Sequence, residues 1–191
     1  MKFSVIIPTR NRPDLLTLAV ASVCAQSHRN IELIIVNDGS MPLPRFDDPR
    51  IRAFDSGQRG AVPARNLGLA QATGSAVAWL DDDDQWSDLR FLADATAALT
   101  GGADLVHGDG RFVFADGRPP EAYSRAASAT SLKHDNTILV SALCYRASLH
   151  QELGSFDESL PYYWDWDWYL RVAAAGARLF HLARPVADIL I

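Results

Sequence analysis

The chain has 191 residues, of which 48% are hydrophobic and 21% charged, and a formal net charge of −5. Length for roughly one domain and a composition near the globular average exclude a disordered or collagen-like chain. The negative balance gives no broad electrostatic footprint for nucleic acid or an anionic membrane, and the two Cys, at 24 and 144, make neither a disulfide framework nor a metal knuckle.

Residues 3–7 (FSVII) form a short β-branched run that stops at Pro8 and suits a strand buried on both faces of a parallel sheet. After the turn TRNR, Pro13 sits where a first helical residue tolerates it, with Asn11 or Arg12 near the cap. Leu15, Leu16, Ala19, Val20 and Val23 then recur at helical spacing. Residues 31–36 (IELIIV) predict a second buried strand ending in an NDGS turn, and 51–54 a third. A helix through Ala64, Leu67 and Ala70 is expected to stop at Gly74. Residues 75–80 (SAVAWL) predict the next central strand, after which Ser87 caps a helix to about Leu99. This β–α alternation predicts a doubly wound, mostly parallel sheet with right-handed crossovers.

Past residue 100 the pattern changes. Strands are expected at 104–108, 111–115 and 138–145, and helices at about 147–153 and 165–175. Between them, residues 116–135 form a loop rich in Gly, Pro, Ser and Ala, long enough to be mobile or functional. No apolar run approaches the ~20 residues of a bilayer span, and the N-terminus lacks a signal-peptide layout, so a soluble cytoplasmic chain of one domain is expected. The end at Ile191, straight after an apolar run, reads as a truncation of something longer.

In an open parallel sheet, ligands bind outside the carboxyl ends of the strands. The three turns to inspect are therefore Pro8-Thr9-Arg10-Asn11-Arg12, Asn37-Asp38-Gly39-Ser40 and Asp81-Asp82-Asp83-Asp84-Gln85-Trp86, which are expected to converge on one edge. Four ionised neighbours either raise one another's pKa or recruit a cation, and hard oxygen ligands on a tight turn suit Mg²⁺ or Mn²⁺. Charge alone leaves a solvated acidic loop equally open; the position after a strong strand, beside Trp86, favours function. A second constellation lies at 161–171, PYYWDWDWYLR. Six of the ten Trp and Tyr fall between Tyr162 and Tyr169, interleaved with Asp165 and Asp167. Carboxylates framed by flat rings suit a sugar site, although an aromatic core segment with two helix-dipole aspartates fits the same pattern.

In this order, the segments VIIPTRNRPDLL (5–16), IIVNDGS (34–40), ARNLGLAQATG (64–74), WLDDDDQW (79–86), YR (145–146), GSFDESL (154–160) and WDWDWYLRVAAAG (164–176) resemble the family 2 glycosyltransferases. The resemblance implies the GT-A fold, a Rossmann-like α/β three-layer sandwich with a mostly parallel central sheet. It implies residues 1–100 as a nucleotide-binding half and 101–191 as an acceptor-binding half. By position it implies base contacts from Pro8, Thr9, Arg10 and Asp38, and support of the base or diphosphate by Arg65. The family's Asp-x-Asp maps onto Asp81 and Asp83, with Asp83 on the metal, Asp81 on the ribose or metal, and Asp82 and Asp84 in reserve. The general base falls on Asp165, where the family's preceding Glu is replaced by Trp164. A further metal-binding His of many members has no clear counterpart; His181 is the nearest, and reads better as a strand or surface histidine.

The activity so implied is an inverting transfer of sugar from a nucleotide-sugar, a UDP-sugar first, to a hydroxyl of a saccharide or glycolipid acceptor, with Mn²⁺ or Mg²⁺ as cofactor. Peripheral contact with the inner membrane face and a place in polysaccharide biosynthesis are family-level expectations. His107, Asp109 and Gly110 are open to a donor or acceptor contact or to a plain strand-end turn, while Cys24 and Cys144 read as core residues. Two other readings remain: a non-catalytic nucleotide- or sugar-binding module, and a sugar-1-phosphate nucleotidyltransferase. The second expects a Gly-rich basic loop after the first strand, which PTRNRPDLL lacks.

Overall fold

A computed structural model describes residues 1–191. Strand β1 (Phe3–Thr9) is buried along its whole length and runs through Pro8, two residues past the predicted stop. Its side chains alternate between two core clusters: Val5 and Ile7 pack with Leu16 and Val20, whereas Ile6 joins Ile34, Trp79 and Trp168. Helix α1 (Pro13–Cys24) opens with Pro13 and buries Leu16, Ala19, Val20 and Val23. Neither expected cap side chain bonds to the helix. Asn11 instead takes a left-handed φ of 58° and its Oδ1 accepts the N–H groups of Ser40 and Met41, each at 2.9 Å. A Cβ on Gly39 would lie 2.7 Å from the Asn11 nitrogen, so glycine is what lets these two turns touch.

Strands β2 (Ile31–Asn37) and β3 (Ile51–Asp55) follow, then helix α2 (Ala61–Gln71). The helix ends before Gly74, with Ala72 already extended. The buried Glu32 of β2 accounts for that: its Oε1 accepts the Thr73 N–H at 2.7 Å and the Thr73 hydroxyl at 2.9 Å, drawing the chain out of the helix. Strand β4 (Ala76–Trp79), the two-residue β5 (Gln85–Trp86) and helix α3 (Phe91–Thr100) complete the first hundred residues. Helix α3 begins four residues after Ser87, because the Ser87 and Asp88 N–H groups are taken by Val186 O. Trp86 is core rather than pocket, its indole N–H donating to Ser141 O at 2.8 Å.

The two strands expected at 104–108 and 111–115 are one, β6 (Leu105–Val113). Its HGDG sequence is carried through because the partner strand absorbs the irregularity: register shifts lie on either side of Asp109. A Cβ on Gly108 would meet Val186 Cγ2 at 2.6 Å, so the close approach needs glycine there. Within the long connection, β7 (Glu121–Tyr123) pairs with β6 and a 3₁₀ turn spans Ser131–Lys133. The strand expected at 138–145 divides into a 3₁₀ turn at Val140–Ala142 and β8 (Leu143–Arg146). Helices α4 (Ser148–Leu153) and α5 (Trp164–Ala174) fall close to expectation, and β9 (Leu179–Leu190) closes the chain.

All nine strands form one sheet in the order β3-β2-β1-β4-β8-β6-β9-β5, with β7 on β6. Pairing is parallel from β3 to β4 and between β6 and β9; β8 runs antiparallel to both its neighbours. The parallel ladders are the longer ones, so the sheet is mixed but mainly parallel. Helices α1 and α3 cover one face, and α2, α4 and α5 the other. That three-layer α/β arrangement brings the carboxyl ends of β1, β2 and β4 side by side. No helix is long and apolar enough to cross a membrane.

Candidate active site

The three strand-end turns meet in a pocket of about 300 Å³, lined by Pro8, Thr9, Arg10, Arg12, Asp38, Arg65 and Asp81–Asp83, with Ala61 and Ala64 of α2 as its apolar side. Every nucleotide- and metal-site residue expected from the sequence lies on this wall. Arg12 is the one polar lining residue to which the sequence reading gave no binding role, although it named the turn that carries it. Its signal was present, since it shares the turn after β1 with Thr9 and Arg10.

The four aspartates divide within a turn that the Asp84 N–H closes on Asp81 O at 3.1 Å. Asp81 and Asp83 keep 33% and 30% of their side chains exposed; Asp82 keeps 7%. The carboxylate of Asp82 is fully engaged, Oδ2 accepting from Thr9 Oγ1 at 2.6 Å and the Arg10 N–H at 3.3 Å, and Oδ1 from Arg12 at 3.2 Å. Burial raises its pKa against the pull of those donors. Asp84 turns inward, accepting from Ser141 Oγ and the Leu190 N–H. Burial, with the charges of Asp81 and Asp83, pushes it up to about 7. The inward pair thus ties the turn to β1, to the 3₁₀ turn at Val140–Ala142 and to β9, while the outward pair meets cations: Asp83 bonds Arg12 and Asp81 bonds Arg65.

At the other end of the pocket Asp38 is 3% exposed. Its carboxylate accepts from the Ser56 hydroxyl and, through both oxygens at 3.1 Å, from the Gly60 N–H that opens α2. Arg10 stands 3.9 Å away. Arg65, on α2, is also nearly buried; its guanidinium lies 4.3 Å over the Trp164 ring, and its Nε has no partner. Trp164 is the first residue of α5, so this cation–π contact fastens α5 to the pocket.

Asp165 is the next residue along. It accepts from Asn136 Nδ2 at 2.8 Å and is not part of the pocket wall proper. Buried Tyr169, one turn on, lies within the fields of Asp165, Asp81 and Arg65; burial above all, then the two carboxylates, pushes its phenol far up. Just before Asp165 two aromatic side chains are open, Tyr162 at 77% and Tyr163 at 69% exposed, whereas Trp168 and Tyr169 beyond it are buried. Tyr163 holds a left-handed φ of 59° with its ring edge-on to Trp166, whose indole N–H donates to Leu132 O at 2.6 Å.

Other sequence candidates are closed off. His107 and Asp109 are 1% and 4% exposed inside β6, and Gly110 is buried too, which leaves no strand-end turn and no open contact there. His181 of β9 stacks on His107 at 4.7 Å and bonds Asp109 at 2.6 Å, so it is held within the sheet. Cys24 touches Asp48, and Cys144 is wholly buried; burial raises both thiols. No group of three or more His, Cys, Asp or Glu stands close enough to cage a metal ion. Two half-exposed carboxylates nonetheless match the donor set of an ion that takes its other ligands from phosphates and water.

Residues 4–147 match the family model described as Glycosyl transferase family 2. An uncharacterized glycosyltransferase of Bacillus subtilis, YwdF, is 34% identical over 185 residues, 91% of this chain and 68% of that protein. S. aureus TarS 1–349 in complex with UDP-GlcNAc superposes with a TM-score of 0.79 at 22% identity, over 100% of this chain and 59% of TarS 1–349. The mannosyltransferase PcManGT from Pyrobaculum calidifontis, in complex with GDP-Man and Mn²⁺, gives 0.72 at 18% identity, over 98% of this chain and 56% of its own. The chain thus spans little more than half of these structural neighbours.

Proposed function

The chain belongs to glycosyltransferase family 2, and from that premise we propose that it transfers a sugar from a nucleoside-diphosphate sugar, a UDP-sugar first, to a hydroxyl of a saccharide or glycolipid acceptor. The observation that carries this reading is the sorting of the acidic turn, which aims Asp81 and Asp83 into a pocket that ends at the buried Asp38. Pro8, Thr9, Arg10 and Asp38 hold the base, and the Asp38 carboxylate is suited to accept an imide N–H. Arg65 and Arg12 supply positive charge for the diphosphate. Asp82 keeps Thr9 and Arg10 in place.

Asp83, with Asp81, would hold Mn²⁺ or Mg²⁺, which when bound neutralises charge on the diphosphate and the departing nucleotide. Asp165 takes the acceptor hydroxyl proton as that oxygen attacks the anomeric carbon. A single displacement inverts the anomeric configuration, and no Ser–His or Cys–His pair offers a covalent route. Exposed Tyr162 and Tyr163 lie just before Asp165 in the chain, and open aromatic side chains near a carboxylate support a saccharide acceptor. On this reading residues 1–100 serve the nucleotide and 101–191 the acceptor, in the cytoplasm and, for a glycolipid acceptor, at the inner membrane face.

The deciding experiment is calorimetric titration with UDP, GDP and dTDP, with Mn²⁺ and again with chelator, on wild type and Asp83→Ala. Metal-dependent binding of one nucleotide, lost in the variant, is the expected result. No binding of any nucleotide under either condition would overturn the reading.

A further inference from the structure

The one hydrogen bond to the Asp165 carboxylate comes from far along the chain. Asn136 donates through Nδ2 at 2.8 Å from the segment between the 3₁₀ turn at Ser131–Lys133 and the turn at Val140–Ala142. A carboxylate only accepts, so the amide nitrogen must face it. The Asn136 Oδ1 is then turned into the protein, buried and without a partner. The next residue repeats the pattern: Thr137 is 5% exposed and its hydroxyl oxygen is also unpartnered. Two orphaned polar atoms in consecutive residues are a cost that a loop free to turn outward would avoid.

We propose that Asn136 is a positioning residue for Asp165: it fixes the rotamer of the carboxylate and leaves the second oxygen open to the acceptor hydroxyl. This rests on the reading of Asp165 as general base. The position before Asp165 offers no help, because Trp164 turns away to Arg65 and Phe156. Asp165 lies in the first turn of α5, where an unanchored side chain has several rotamers. The loop that carries Asn136 is anchored independently, by the Trp166 bond to Leu132 O and by burial of Leu132 and Ile138 among the α5 side chains. Its amide therefore stays put as the acceptor arrives. Being neutral, the amide orients the carboxylate without adding the full positive charge that an arginine would bring.

The test compares wild type with Asn136→Ala, Asn136→Asp and Asp165→Asn. With aspartate carboxyls labelled in carbon-13, the Asp165 resonance is the one that Asp165→Asn removes, and no ligand is needed. Asn136→Ala is expected to shift that resonance at neutral pH, since the carboxylate loses its one hydrogen-bond donor. With UDP-GlcNAc as probe donor and water as acceptor, Asn136→Ala should lower kcat about tenfold to a hundredfold while the donor KM holds. Asn136→Asp, nearly the same shape, should lower kcat at least as far. An unmoved resonance overturns the proposal, and so does an unchanged kcat in Asn136→Ala beside an inactive Asp165→Asn. Asp165→Asn within a few-fold of wild type overturns the base reading and the proposal together.

Discussion

The strand-end pocket and the first turn of α5 hold their carboxylates by opposite means. In the pocket, Asp81 and Asp83 are each bonded to a guanidinium, Arg65 and Arg12. At α5, Asp165 is bonded to a neutral amide. A cationic partner stabilises the ionised form strongly and gives up its place only to another cation, which suits an acid that meets a metal and a diphosphate. A neutral donor orients a carboxylate and leaves it able to take a proton. On the function proposed above, the kind of partner thus separates the two tasks where residue type alone does not.

The sharpest way to break the comparison is to neutralise the α5 acid. Asp165→Asn keeps the size of the side chain and removes its basicity. Transfer should fall about 10²- to 10⁴-fold, the usual contribution of a general base. Nucleotide affinity, measured by calorimetry, should hold within about twofold, because the pocket wall is untouched. An equal loss in both quantities would merge the two regions into one binding site and remove the distinction.

A smaller effect tests the other side. Arg12 is half-exposed between Asp82 and Asp83. Such an ion pair is worth up to about 1 kcal/mol, or about fivefold in an equilibrium constant. Arg12→Ala should therefore let Mn²⁺ alone bind roughly fivefold tighter, since the competing cation is gone, and should weaken UDP binding in chelator, since one phosphate partner is lost. If both affinities move the same way, Arg12 serves only to hold the turn.

How much of this was legible follows from what each region is made of. The pocket is built from residues directly after β1, β2 and β4, and strands buried on both faces announce themselves by unbroken apolar runs. The convergence of Thr9, Asp38 and Asp81–Asp83 was therefore readable in advance. Which aspartates face outward was not, because it depends on Thr9, Ser141 and Leu190, residues remote in the chain that capture Asp82 and Asp84. The α5 end was half-readable: its acid and aromatic rings are local, whereas Asn136 comes from a segment with no periodicity. Strand β9 escaped notice because Arg184 and Pro185 interrupt its pattern just where its register with β6 shifts. Burial of His107 beneath the Ala127 N–H was not readable either, since it depends on a loop the sequence leaves unplaced, whereas His181 falls in a strand as expected.

The smallest expected effect concerns an acid with neither task. Glu32 lies at the opposite end of β2 from the pocket, bonded to Ser4 and Thr73, with Lys2 at 3.2 Å and Arg52 at 3.3 Å. Burial raises its pKa, but the hydrogen bonds from Ser4, Thr73 and Lys2 outweigh it and hold the group at about 2. Its folded pKa is below the unfolded value of 4.5, so the stability it contributes is present above pH 4.5 and is lost as the pH falls toward 2. Glu32→Gln should cost about 2 kcal/mol at pH 7 by urea unfolding, and the gap should close through that window. Buried His107 and His150, each held at about 4, and Asp84, at about 7, change stability with pH as well, but equally in both proteins, so they drop out of the difference. Because Glu32 faces no pocket, nucleotide binding at pH 7 should not change, which leaves partner chemistry at the open edge, rather than burial of acid as such, as what marks the site.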